Sequence, residues 1–202
     1  MENLSKQVVI SIIISLFLLT SCAGIKLTGE WKDSSYEHRY VEDILVVGTS
    51  DLFDKQKLED IFVRDFQEHG VKAVSFASIY QKKKATRADV RAEAVKLKND
   101  AIFMARVISM SDEEVRERVM PPVEIFPLWS DYFPVYTLYT PSQEYTIREK
   151  HILLECSLYD TSTGKLIWRV CSETIKPGST IDIFDSISRA VMKNLRNDKL
   201  IR

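Results

Sequence analysis

Short apolar runs alternate with helix-like segments between residues 44 and 110, and this alternation constrains the fold more than any other feature. The run Ile44–Gly48 is continuously apolar, as in a strand that is buried on both faces. The predicted elements are, in order, a strand over 44–48, a helix over 54–69, a strand over 71–76, a helix over 86–97 with Leu97 facing inward, and a strand over 101–110. This β-α-β-α-β order implies parallel strands joined by right-handed crossovers.

The C-terminal third predicts an antiparallel hairpin followed by a helix. Two strand-like segments, 147–159 and 166–175, flank a polar turn in which Gly164 supplies the positive φ of a hairpin loop. After Pro177-Gly178, a helix begins at Ser179 or Thr180 and carries an inward apolar stripe. The sequence therefore predicts a single α/β domain over residues 41–202, with a mixed sheet of about five strands and a C-terminal helix.

The N-terminus has the organisation of an exported lipoprotein. One basic residue, Lys6, precedes the apolar run 8–19, which is shorter than the roughly 20 residues that a membrane-spanning helix needs. The residues directly after this run, Leu19-Thr20-Ser21-Cys22, resemble a bacterial lipobox. The resemblance implies that residues 1–21 are a signal peptide and that Cys22 is lipidated.

A lipidated Cys22 would anchor the domain to a membrane without spanning it, because two or three acyl chains hold a protein firmly on a bilayer. The residue after the cysteine is Ala23 and not the aspartate that favours retention in the inner membrane, so we expect the periplasmic face of the outer membrane. Residues 22–40 show no sustained periodicity and are predicted to form a short lipidated tether that becomes ordered near Trp31.

Composition argues against several classes of function. The chain has 28 basic and 29 acidic residues, a formal net charge of −1, so it offers no basic footprint for nucleic acid. It contains neither a glycine-rich phosphate loop nor a Gly-x-Ser-x-Gly elbow. The three histidines, His38, His69 and His151, occur singly and without metal-ligand spacing, so no metal or other cofactor is expected. We expect a protein that is not an enzyme.

An aromatic and proline-rich insertion over residues 119–146 is the strongest candidate for an interaction surface. Aromatic side chains are enriched at interfaces, and prolines restrict a segment that has no sheet to join. The candidate residues are Phe126, Trp129, Tyr132, Phe133 and Tyr136. The alternative is that these rings cover one edge of the sheet as a satellite core.

Cys156 and Cys171 fall on the two strands of the predicted hairpin, and the strand register decides whether they can pair. With Tyr159 opposite Leu166 the two cysteines share a face, whereas with Leu158 opposite Leu166 they lie on opposite faces. The apolar residues align better in the second register. A disulfide and two free thiols both remain open at this point.

Several of these features together resemble uncharacterised bacterial lipoproteins with a compact α/β domain. They are Trp31-Lys32-Asp33, the apolar run 44–48, Glu59 in the first helix, the aromatic insertion, and the segments Leu158-Tyr159-Asp160 and 163–168. The element order is distantly similar to LpoB-type penicillin-binding-protein activators and to the curli secretion lipoprotein CsgG, although the tether here is too short for the reach that LpoB-type activators need. The resemblance implies a fold and a location, and no chemical site.

Two functions follow as hypotheses. In the first, the chain is a periplasm-facing accessory or interaction protein of the cell envelope, anchored through Cys22, with an envelope protein as its partner. In the second, it is a lipid- or glycan-binding module that uses the aromatic insertion.

Overall fold

The computed structural model describes residues 25–36, 40–80, 85–119 and 143–202. The strands are β1 (Lys26–Lys32), β2 (Asp43–Thr49), β3 (Lys72–Ser75), β4 (Ala101–Val119), β5 (Gln143–Asp160) and β6 (Leu166–Pro177). The helices are α1 (Lys55–Glu68), α2 (Phe76–Ile79), α3 (Arg87–Leu97) and α4 (Thr180–Asn197).

The strands form one mixed sheet in the order β1-β6-β5-β4-β2-β3. β2 pairs in parallel with both β3 and β4. The other neighbouring pairs, β4 with β5, β5 with β6 and β6 with β1, are antiparallel. The predicted fold class is confirmed, and among the described residues the sheet has six strands because β1 adds to its edge.

The main core lies on the sheet face that α1 and α4 cover. Phe62 and Phe66 of α1 pack against Phe103, with ring centroids 4.9 and 5.0 Å apart. The whole predicted inward stripe of α4 is buried, namely Ile183, Phe184, Ile187, Val191 and Leu195. Trp168 is fully buried against this helix, and its indole N–H donates to Asn194 Oδ1 and Asp198 Oδ2.

The other face of the sheet is covered over β2, β3 and β4, where α2 and α3 contact it. Val90 and Ala94 of α3 join a smaller core with Leu45 and Ile102. Leu97 was predicted to face inward, but it is 39% exposed. The prediction is wrong because α3 ends at Leu97, and the chain turns through Lys98 in the left-handed conformation (φ 60°).

The helix ends follow their sequence signals. Asp54 caps α1, and Gly70 follows it in the left-handed conformation with φ 75°. Thr86 and Asp89 form a reciprocal capping box at α3. Ser179 caps α4, so the predicted start of the C-terminal helix is confirmed. Short-range hydrogen bonds of this kind determine where a helix starts and stops.

The predicted bounds of the tether and of the insertion differ from the observed strands. Lys26–Lys32 was assigned to the tether 22–40, but it is the edge strand β1, paired with β6 and interrupted by a register shift between Thr28 and Trp31. The insertion was assigned to 119–146, but Val119 belongs to β4 and residues 143–146 belong to β5. Both segments are ordered by pairing with distant strands, which local periodicity does not reveal.

Candidate functional site

The residues predicted as functional lie outside the described parts of the chain. Cys22 precedes residue 25, and the five aromatic candidates (Phe126, Trp129, Tyr132, Phe133 and Tyr136) fall within 120–142. The structure does describe the two strands that enter and leave that segment, and these strands determine where it is attached.

β4 and β5 continue as a two-stranded ribbon beyond the rest of the described sheet. The last residue of β6, Pro177, pairs with Glu149 of β5, whereas β4 and β5 stay paired from Glu114–Arg148 to Val119–Gln143. We call residues 114–119 and 143–148 the hairpin arm. Its six pairs span about 20 Å at ~3.3 Å per residue. Segment 120–142 is therefore attached to the far end of this arm.

Two cross-strand pairs of polar side chains lie at the base of the arm. Lys150 Nζ lies 2.8 Å from Asp112 Oδ1 in an ion pair, and His151 Nε2 lies 3.6 Å from Glu113 Oε2. Cross-strand pairs of this kind favour one register of a two-stranded ribbon. They stabilise the pairing of β4 with β5 where the arm begins.

A second charged group lies on the same sheet face as α2 and α3, on β4, β5 and β6 beside the area that these helices contact. Glu155 Oε2 accepts from Arg106 at 2.6 Å and from Arg169 at 2.9 Å. Burial acts to raise the pKa of Glu155, but the two guanidinium groups outweigh burial, so the pKa lies below its usual value. The carboxylate stays ionised and links three adjacent strands, as a structural ion pair does.

The two cysteines lie on opposite faces of the sheet, and both thiols are free. Leu158 pairs with Trp168, and Cys156 therefore pairs with Val170 while Cys171 pairs with Glu155. A register shift next to the turn lets Tyr159 pair with Leu166 as well. The favoured outcome of opposite faces is confirmed, although Leu158 faces Trp168 and not Leu166.

Glu59 is a buried carboxylate that sequence reasoning noted without assigning it a role. It is 1% exposed and lies on α1, beside the C-terminal ends of β2 and β3. Its Oε1 accepts from Gly48 N at 2.7 Å, and its Oε2 accepts from Ser75 Oγ at 2.5 Å and Ala77 N at 2.7 Å. Burial raises the pKa of Glu59, and these hydrogen bonds oppose that shift only in part.

These contacts give Glu59 a structural role, because both of its carboxylate oxygens accept hydrogen bonds from groups that connect α1 to the ends of β2 and β3. The signal available in the sequence was an acidic residue between Leu58 and Ile61 on the apolar side of a helix. Gly48 permits the close approach, because a Cβ there would lie 2.8 Å from Lys55 O and 3.1 Å from Glu59 Cγ.

Two shallow cavities, of about 290 and 440 Å³, open at the surface of the described domain. The smaller one contains Asp100 and Asp160, but both carboxylates already hold the backbone in place. Asp100 Oδ2 accepts from Asp43 N, and Asp160 Oδ1 accepts from Thr163 N within the β5–β6 turn. Neither carboxylate has the setting of a general acid or base.

Among the described residues, no group of three or more His, Cys, Asp or Glu side chains is placed to hold a metal ion. A search of the same residues finds no helix with the length and apolar character to cross a membrane.

No family model matches the sequence, and no curated protein is similar to it. Among solved structures, the chain is similar to the PelC dodecamer from Paraburkholderia phytofirmans, with 10% identity, a TM-score of 0.48, and coverage of 89% of this chain and 99% of that one. It is also similar to lipoprotein GNA1162 from Neisseria meningitidis, with 15% identity, a TM-score of 0.43, and coverage of 77% and 98%. A minor lipoprotein from Acinetobacter baumannii gives 8% identity, a TM-score of 0.37, and coverage of 80% and 97%.

Structural neighbours of this chain thus include bacterial lipoproteins at low sequence identity. With identities of 15% or less and TM-scores below 0.5, these similarities assign no activity to it.

Proposed function

We propose that the protein is a lipoprotein of the bacterial cell envelope, anchored through Cys22 and facing the periplasm from the outer membrane. The observation that carries this proposal is the lipobox-like sequence Leu19-Thr20-Ser21-Cys22 directly behind a short apolar run. The structure adds that β1 begins at Lys26, four residues after Cys22. A chain of four residues reaches at most ~14 Å, so the folded domain would sit directly on its membrane.

The role that we propose is that of a non-enzymatic accessory or interaction protein. Three acidic side chains of the described domain that are buried or line a cavity, Glu59, Asp100 and Asp160, accept hydrogen bonds from backbone N–H groups. The hairpin arm, by contrast, leads from the described sheet to the two ends of segment 120–142. This arrangement suits a domain that displays an interaction element to an envelope protein.

Metabolic labelling with a palmitate analogue tests the anchor. We expect label on the wild-type protein and none on Cys22→Ala, with the wild type in the outer-membrane fraction. Cys171→Ala is the matched control, because it removes a cysteine from the folded domain and leaves the lipobox intact. Label that persists on Cys22→Ala, or a wild-type protein free in solution, would refute the proposed anchor.

Quantitative crosslinking in native membranes tests the interaction role. We expect at least one partner whose recovery falls when Phe126, Trp129, Tyr132, Phe133 and Tyr136 are replaced together by serine. A matched variant carries Val95→Ser, which changes an exposed apolar residue on α3. Recovery that is the same for all three proteins would reject the insertion as the partner surface.

The second candidate function is binding of lipid or glycan by the same insertion, and its attachment to the last residue pair of the hairpin arm favours this role. Loss of binding to liposomes or envelope glycans in Trp129→Ala and Phe133→Ala would support it. Unchanged binding in both variants would exclude it in favour of a protein partner.

A further inference from the structure

The strand register relates the start of β1 to the direction of the hairpin arm. Lys26 pairs with Glu173, Glu173 pairs with Leu153, and Leu153 pairs with Ser109, so these four residues form one row across the sheet. From this row β4 runs ten residues further to Val119. The arm and the N-terminal end of β1 therefore lie at the same end of the sheet, which we call the β1-start end.

This shared end constrains how a lipid-anchored domain can be placed. At ~3.3 Å per residue, the arm extends ~33 Å beyond the row of Lys26. Cys22 is at most ~14 Å beyond Lys26. If the arm continues in the direction of the strands, its end lies further from the row of Lys26 than Cys22 can lie. If the β1-start end pointed away from the membrane, Lys26 would be too far from the bilayer for Cys22 to remain anchored in it.

Exposed aliphatic side chains lie at the β1-start end outside the arm itself. Leu52 follows the C-terminal end of β2, Ile175 pairs with His151 beyond the Lys26 row, and Ile181 lies in the first turn of α4. They are 48%, 54% and 49% exposed. The free energy falls when apolar side chains of this kind leave water and enter the boundary between headgroups and acyl chains.

The charges near these side chains indicate which lipid surface they suit. Exposed charges of both signs lie in the same region: Asp51, Asp54 and Asp182, and beside them Lys26 and Lys55. Because basic groups that would attract anionic headgroups are not in excess among them, the contact is apolar and does not depend on negatively charged lipid.

We propose that the β1-start end of the sheet is the membrane-facing surface of the protein, with Leu52, Ile175 and Ile181 against the lipid and the highly charged hairpin arm along the bilayer surface. This inference rests on the proposed lipidation of Cys22. It identifies a contact surface in the folded domain that is separate from the aromatic insertion.

Depth-dependent quenching by brominated lipids tests the orientation in full-length mature protein reconstituted into phosphatidylcholine vesicles. A fluorophore is attached to Ser111→Cys at the β1-start end, or to Ser162→Cys in the β5–β6 turn, in a Cys171→Ser background. Both serines are exposed, and nine residues of β5 separate the row of Ser111 from Asp160, or ~30 Å. We expect quenching at position 111 to exceed that at position 162 several-fold.

A second pair of variants tests the side chains. Leu52→Ser combined with Ile181→Ser should reduce quenching at position 111, whereas Val95→Ser, which alters an equally exposed side chain at the opposite end, should leave it unchanged. Equal quenching at positions 111 and 162 in a lipidated protein would overturn this inference alone, as would a double variant that behaves like the wild type. Absence of lipid on Cys22 would overturn both the inference and the proposed anchor.

Discussion

Replacing Glu59 with glutamine removes the carboxylate charge and one of the two acceptor oxygens while keeping the size of the side chain. Oε1 receives one backbone N–H, from Gly48, and Oε2 receives another, from Ala77. An amide group has a single acceptor oxygen, so whichever way the new side chain is turned, one buried backbone donor loses its partner.

The magnitude follows from that single lost acceptor. A buried donor left unpaired costs about 1–3 kcal/mol. If the amide nitrogen takes the place of Oε2, the Ser75 hydroxyl can rotate and accept from it, which limits the loss to the Ala77 N–H. We therefore expect Glu59→Gln to lower the free energy of unfolding by about 1–3 kcal/mol near neutral pH.

The pH dependence of this difference provides a second, independent check. Burial raises the pKa of Glu59 above the usual 4.5, so the folded protein holds the proton more tightly than the unfolded chain does. The contribution of this group to stability therefore rises as pH falls through the folded-state pKa, and it levels off below the unfolded value. Glutamine does not titrate, so the gap between wild type and Glu59→Gln should be wider at about pH 5 than at about pH 7.

Urea denaturation followed by tryptophan fluorescence measures both quantities, because Trp168 is fully buried in the native state. Glu68→Gln is the matched control, since Glu68 lies at the end of the same helix with a 65% exposed side chain. A gap that narrows on acidification would refute the raised pKa. A Glu59→Gln protein as stable as the Glu68→Gln control would refute the structural role of the carboxylate.

Two further predictions concern the same sheet. Gly48→Ala should destabilise the fold by about 1–3 kcal/mol in urea denaturation, because the new Cβ would lie 2.8 Å from the backbone oxygen of Lys55 and 3.1 Å from Glu59 Cγ. A variant as stable as the wild type would show that α1 can move to relieve these contacts. In the folded protein, a maleimide should modify Cys171 and leave Cys156 unmodified, because Cys156 is buried and burial raises the pKa of its thiol well above the usual value. Protection of both thiols, or modification of both, would contradict the register of β5 and β6.

The elements that the sequence predicted well are those whose signals are local. The helix α1 has its apolar stripe, its cap at Asp54 and its terminal Gly70 within one short segment, and it forms where the sequence predicts a helix. The same holds for the capping box of Thr86 and Asp89. Such signals act between residues three to four apart, so one sequence suffices to recognise them.

The strand β1 shows what local patterns omit. Its alternation is interrupted at Gly29, where φ is 62° and the pairing with β6 shifts register, so the segment resembles an irregular tether. What orders it is a partner strand more than a hundred residues away. Because its side chains lie at a sheet edge and are mostly exposed or half-buried, no apolar period marks it either.

The hairpin arm was hidden for a related reason. The predicted strand over 101–110 stops before the highly charged segment from Asp112 to Arg118, yet β4 continues through that segment to Val119. The usual signature of a strand is an apolar residue at every second position, and it exists only where one face is buried. In a highly charged strand, the register is supported by cross-strand pairs such as Lys150 with Asp112, which a sequence reveals only once the partner is known.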